Sequence, residues 1–231
     1  MNLTNFRMIF MFHRIERNCK SKYDVKWEKF KTIIFTFDFI FKYILFKKLN
    51  DKILFTFDDG YSSQLIAARY LARYYKIFSL IFISTKFIEK PGFITSQQIQ
   101  LNHSNYIKFG THGHNHKSLN NSISDKEIYE ELNLSKLYLE KISKRNILFL
   151  SYPNGQYNKK TLKISKDIGY KYIFTSKRAS NRKKQKNCTF NRFVIMKQTP
   201  IILIFTAYTG IIDFAQSLKK LLRDQKFSSF L

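Results

Sequence analysis

Cysteine, proline and glycine are all scarce in this chain. Its two cysteines, Cys19 and Cys188, form no CxxC pair and no ligand set, so the sequence gives no support for a disulfide-stapled secreted domain. Three prolines and seven glycines leave no linker to divide the 231 residues, and no repeat is present, so one domain over residues 1–231 is expected. Long apolar runs are missing too. Residues 200–215, PIILIFTAYTGIIDFA, are broken by Thr, Gly and Asp and fall short of the roughly 20 residues that a spanning helix needs. They read as a buried strand leading into a helix, with a membrane-associated hairpin as the alternative. The opening MNLTNFRMIFMFHRIERN has an apolar stretch too short for a signal-peptide core, which places the expected location in the cytoplasm or at the inner membrane surface.

Acidic residues are few: 16 Asp and Glu stand against 41 Lys and Arg, a formal charge of +25. That balance favours anionic partners such as phosphate-bearing glycans, nucleic acid or a membrane surface, or else it is a solvated surface shaped by codon bias. Charge is the one feature pointing to nucleic acid, and no recognition motif accompanies it, so no specific nucleic acid is expected. The basic cluster at residues 177–186, KRASNRKKQK, lies between apolar runs and reads as a loop or a polyanion site. Hydrophobic residues make up 44% of the chain, enough for a sizeable core.

Strand-like and helix-like runs alternate. Strands are expected at residues 8–12, 53–57, 78–84, 107–110, 147–152, 172–175 and 193–196. Helices are expected over most of 24–49, and at 62–75, 95–101 and 158–168. Another follows Ser124-Asp125-Lys126-Glu127, a capping box, with Ile128, Leu132, Leu139 and Ile142 on one face. Such alternation implies a parallel sheet, open or closed into a barrel, with functional groups at the carboxyl ends of its strands.

Three short stretches carry chemistry. Asp58-Asp59-Gly60 ends the apolar run ILFTF; it is either an Asp-Gly turn or part of a site. His112-Gly113-His114-Asn115-His116 gathers three of the chain's five histidines into five residues. If the backbone turns helically there, His112 and His116 share a face, and with one carboxylate they form a three-ligand divalent metal site. Ser151-Tyr152-Pro153-Asn154-Gly155 is a turn closing a strand, or a rigid loop aiming a backbone N–H into the site.

TFDDG, HxxxH and YPxG in this order resemble the polysaccharide deacetylase family of carbohydrate esterases, with its NodB homology domain. FMFHRIE is similar to the MYHRI opening of one branch. SLIFIST, SDKEIYEELNLSKLYLE, SKDIGYKYIFTS and NRFVI resemble later family segments, so the likeness runs from about Met8 to about Gly210. It implies an α/β fold, a distorted, incomplete (β/α) barrel, holding one divalent metal ion, zinc or another. It implies removal of acetyl groups from an N-acetylated sugar of a polysaccharide, glycan precursor or sugar-lipid in a bacterial envelope. An O-acetyl esterase or a catalytically impaired glycan-binding relative are the alternatives. By the same resemblance Asp58 matches the general base, and Asp59, His112 and His116 the metal ligands. Asn154 occupies the oxyanion position, with Tyr152, Pro153 and Gly155 around the substrate, and Asp167 matches an orienting acid.

Two elements of the family pattern are missing. No histidine follows His116, so the late-motif general acid is absent, and His13 at the end of the first strand is expected in its place. The arginine that many members carry before YPxG is replaced by Ser151.

Overall fold

The computed structural model describes residues 3, 6–44, 53–120, 122–181 and 189–209. Ten strands are present among them: β1 (Met8–Phe12), β2 (Ile15–Glu16), β3 (Val25–Lys26), β4 (Ile53–Phe57), β5 (Ser79–Ile83), β6 (Ile107–Thr111), β7 (Phe149–Ser151), β8 (Tyr172–Phe174), β9 (Thr189–Phe190) and β10 (Phe193–Val194). Six α-helices accompany them: α1 (Trp27–Phe39), α2 (Ser62–Tyr70), α3 (Ser96–Asn102), α4 (Asp125–Ser143), α5 (Lys159–Asp167) and α6 (Ile201–Thr209).

Eight strands form one open sheet in the order β10-β1-β4-β5-β6-β7-β8-β9. Each neighbouring pair is parallel. The sheet curls into an incomplete (β/α) barrel, as expected. Strands β2 and β3 pair separately.

Apolar alternation creates two cores. Met8, Phe10 and Phe12 of β1, with Ile53, Phe55 and Phe57 of β4, join Phe30 and Phe37 of α1 in one buried cluster. Ring pairs such as Phe12–Phe30 and Phe10–Phe37, both with centroids 5.4 Å apart, knit it together; each adds about 0.5–1.5 kcal/mol beyond area burial. The residues between, Ile9 and Leu54, point the other way and meet Leu80, Phe82, Phe174 and Phe190 in a second cluster inside the barrel. Period-2 geometry therefore sends Thr56 and Asp58 inward as well.

The Ser124 capping box is formed, with Ser124 Oγ accepting from the Glu127 N–H at 3.2 Å. Several boundaries differ from the sequence expectation. The helix expected at 62–75 ends at Tyr70 and continues as a wider π turn over Leu71–Tyr75, stopped by Lys76 at φ +55°. In 24–49 the first residues form β3, and α1 passes into a π turn at Ile40–Ile44; residues 45–49 lie outside the described residues. The strand expected after Pro200 is helix α6. Proline suits that start, because the first helical N–H groups lack intrahelical partners. The remainder, 210–215, and Cys188 lie outside the described residues, as does the half of the basic cluster beyond Asn181. Among the described residues no helix is long and apolar enough to cross a membrane.

Candidate active site

Two adjacent carboxylates face one cleft because the backbone changes hand between them. Asp58 is inward by strand alternation, and Asp59 takes a left-handed φ of +84° that swings its side chain to the same side. Gly60 follows at φ +89°, where a Cβ would lie 3.1 Å from the Ile83 side chain. Gln64, fully buried at the start of α2, fastens the turn: its Oε1 accepts from the Gly60 N–H at 3.2 Å, and its Nε2 donates to the carbonyls of His13, at 3.0 Å, and Asp58.

The histidines follow β6. The two rings meet without a helical turn: left-handed residues at Gly113 (φ +73°) and His116 (φ +62°) fold the loop back and bring the rings to 4.9 Å. His112 Nδ1 donates to the Ser151 carbonyl at 2.8 Å, which leaves Nε2 as the acceptor nitrogen. That Nε2 stands 3.6 Å from Asp59 Oδ1, and His116 Nε2 stands 3.3 Å from the same oxygen. One donor atom each from Asp59, His112 and His116 lie within 4.8 Å of one another. Donors on a tetrahedral cation at bond lengths of about 2.1 Å are about 3.4 Å apart, so spacing and donor chemistry both fit a divalent metal such as zinc. His114 is turned away, paired with Thr85 Oγ1 at 2.8 Å.

Asp58 Oδ2 lies 3.7 Å from His112 Nε2, but its hydrogen bonds come from elsewhere. Arg192, fully buried, donates through Nη1 and Nη2 to its two oxygens at 2.6 and 2.8 Å, and Ser151 Oγ donates to Oδ2 at 3.2 Å. Burial would raise the Asp58 carboxyl, but the Arg192 charge outweighs it, with help from His112, and holds the group well below the usual carboxylate range. Burial pushes His112 down despite both aspartates. His116 is raised by its bond to Asp59 against the pull of burial. Asp59 is lowered: burial pulls it up, but His116 and His112 prevail.

These groups open on a cavity of about 350 Å³ that His13, Tyr23, Asn154 and Ser176 also line. His13 presents a buried Nδ1 without a hydrogen-bond partner, and its ring lies 5.0 Å from that of Tyr23. Asn154 sits at φ +56° at the rim, its Nδ2 donating to Ser118 Oγ at 2.9 Å. Gly155 lets this loop approach the cavity wall, since a Cβ there would meet Ser176 Cβ at 2.5 Å. Pro153 is buried beneath, beside Gly113.

Of the residues expected around the substrate, Pro153 and Gly155 support the rim loop without lining the cavity, and Tyr152, like the expected orienting Asp167, is not brought here. The Tyr152 ring is fully buried and its hydroxyl meets Ser165 Oγ at 2.9 Å. Ser151 takes the inward position on β7, so the next side chain goes outward. Asp167 is exposed at the C-terminal end of α5. A helix crossing back between parallel strands ends at their amino edge, opposite the site. Sequence reasoning missed Arg192, which takes over the orienting of Asp58. The available signal was the arginine in NRFVI, directly before β10.

The polysaccharide deacetylase family model matches residues 47–173. A Bacillus subtilis (strain 168) protein named as a polysaccharide deacetylase, YxkH, is 29% identical over 131 residues, 56% of this chain. The match spans about half of that relative's length, 47%. Among solved structures, the Streptococcus pyogenes deacetylase PplD, in complex with acetate, superposes with a TM-score of 0.75 at 19% identity, over 87% of this chain and 97% of the other. The Bacillus cereus polysaccharide deacetylase BC0361 gives 0.73 at 20% identity, over 87% and 68%. IcaB from Ammonifex degensii gives 0.69 at 18%, over 90% and 96%. These structures share the fold, and the family match covers more than half of the sequence, so the chain belongs to the polysaccharide deacetylase family.

Proposed function

We propose that this protein is a metal-dependent hydrolase that removes acetyl groups from an N-acetylated sugar of a polysaccharide or glycan precursor. The observation that carries this reading is the division of labour between neighbouring carboxylates. Asp59 meets both imidazoles, while Asp58 is kept ionised by the Arg192 fork and reaches only His112, 3.7 Å from its Nε2. Family membership gives the substrate class.

Asp59, His112 and His116 would hold a divalent cation, zinc in the first instance, which supplies Lewis acidity and lowers the pKa of bound water. Asp58 accepts the proton of the attacking water. Its depressed proton affinity makes it a weak base, so the reaction needs an acidified water as its partner. The backbone N–H of Asn154 stabilises the oxyanion of the acetyl carbonyl. His13, which lines the same cavity, donates a proton to the departing amine. The cleft of about 350 Å³ admits one acetylated sugar residue with its neighbours outside. An excess of 25 positive charges suits an anionic glycan or membrane surface around the substrate.

An O-acetyl carbohydrate esterase is the second reading, and the lack of any histidine beyond His116 favours it. An alkoxide leaves more readily than an amide nitrogen and depends less on a general acid.

Acetate release from paired N-acetyl and O-acetyl sugars tests both. Zinc-loaded protein should release acetate from an N-acetyl substrate, and chelated protein and Asp58→Asn should not, although the latter still binds zinc. Release from esters alone would select the second reading. No release at all, with stoichiometric zinc bound, would point to a glycan-binding relative.

A further inference from the structure

Helix α4 buries an acid that the proposed chemistry does not use. Its inner face carries Ile128, Leu132, Ser135 and Leu139, and Glu131 lies among them at 4% exposure. A carboxylate leaves water only when hydrogen bonds replace its hydration. Glu131 finds three, all from one loop. Oε1 accepts from the Asn115 N–H at 2.5 Å and the Lys117 N–H at 3.4 Å, and Oε2 accepts from Asn115 Nδ2 at 2.9 Å. The two amides flank His116, the residue in left-handed conformation. The same carboxylate abuts Gly113, where a Cβ would lie 2.9 Å from Oε1.

We infer that Glu131 is the positioning residue of the His112–His116 loop, holding His116 so that its Nε2 faces Asp59. The inference rests on the reading of Asp59, His112 and His116 as a cation site. Past His112, whose N–H donates to the Ile83 carbonyl at 2.8 Å, no ladder or helix bonds the Asn115 and Lys117 amides, so these donors need a partner from outside the loop. Both carboxylate oxygens accept, and all three groups facing them donate. A glutamine would turn an NH₂ against one of those donors and leave it unmatched. Glu131 is neither one of the three donors nor part of the cavity lining, so it holds the site through the loop, and its charge also acts on His116.

The test compares wild type, Glu131→Gln, Asn115→Ala and Leu139→Ala. Zinc affinity is measured by chelator competition, and amide exchange of the segment 112–118 is measured by mass spectrometry on metal-free protein. Glu131→Gln should keep its circular dichroism spectrum, bind zinc about 10–100-fold more weakly, and exchange faster in that segment alone. Asn115→Ala, which deletes one donor, should show a smaller loss of the same kind and decides the matter if Glu131→Gln does not fold. Leu139→Ala, two turns further along α4, should lower the melting temperature and leave both readouts unchanged. Wild-type zinc affinity and loop exchange in Glu131→Gln would overturn the inference. Failure of wild type to bind zinc would instead overturn the cation reading, and the metal-free exchange rates would then decide whether Glu131 holds the loop.

Discussion

Arg192 and Asp58, 134 residues apart, are joined by two side-by-side hydrogen bonds of 2.6 and 2.8 Å in the barrel interior. The guanidinium also donates to the Thr175 carbonyl at 3.0 Å and to Ser151 Oγ at 2.7 Å, so it links three strands to the base of the site.

Removing this arginine should unfold as well as inactivate. Arg192→Ala leaves Asp58 buried and unpaired, a loss of about 3–5 kcal/mol. Arg192→Lys keeps the charge but not the fork, and should recover part of the stability with little of the activity. Urea unfolding and acetate release, measured side by side, check this; wild-type stability in Arg192→Ala would refute it.

His13 should matter in proportion to the leaving group. His13→Gln is expected to reduce N-acetyl hydrolysis by about 10²–10⁴-fold, and to leave an activated aryl acetate nearly untouched, because a phenolate departs without a proton. Equal losses on both substrates would reassign His13 to a structural role.

Metal removal should reverse a pH trend. His116 is raised above its ordinary value in the metal-free fold, so its pairing with Asp59 is fully present below about pH 6.5 and lost as pH rises through the raised value. Only the neutral imidazole binds a cation, so zinc affinity should grow over that same range. Melting curves of wild type against His116→Ala, with chelator and with zinc, from mildly acid to mildly alkaline pH, would show the two slopes with opposite sign. Parallel slopes would count against His116 as a ligand.

A second histidine gives an acid limb far from the cleft. Burial, then Lys108 and Arg145, pushes His103 down to about 4, and its Nε2 lies 3.2 Å from Lys108 Nζ. The unfolded chain binds this proton near pH 6.5 and the fold resists it. Stability should therefore fall as pH drops from about 6.5 towards about 4. His103→Gln should flatten that limb in denaturation curves, and an unchanged limb would discount it.

The legible parts of the site were those with local spacing. TFDDG and HxxxH each lie within five residues, and the strand and helix runs around them carried the barrel. What stayed hidden was the conformation that makes the motifs work: Asp and His are enriched at left-handed φ, but they are far more often right-handed, so residue type alone does not single out Asp59 and His116. Arg192 stands in a strand motif with no local sign of its role, because its partner Asp58 lies 134 residues away. Tyr152 and Asp167 were misplaced for opposite reasons. Strand alternation from Ser151 would have turned Tyr152 outward, whereas the end of α5 facing away from the site follows from topology alone. The apolar run after Pro200 shows the limit of periodicity, because a short, wholly apolar segment reads equally as strand or helix.

The first strand of the barrel lies between the fourth and the last, pairing with Ile53–Phe57 on one side and Phe193–Val194 on the other. During synthesis, then, Met8–Phe12 emerges with one edge waiting for residues 183 positions later, Phe193 for Phe10 and Val194 for Met11. Until that far segment arrives, Asp58 has no counter-charge and the β1 edge is open to other chains. Long-range closure of this kind is slow and vulnerable to aggregation. A ribosome stalled before Arg192 would carry a chain with every metal-site candidate already made and Asp58 still without its guanidinium fork.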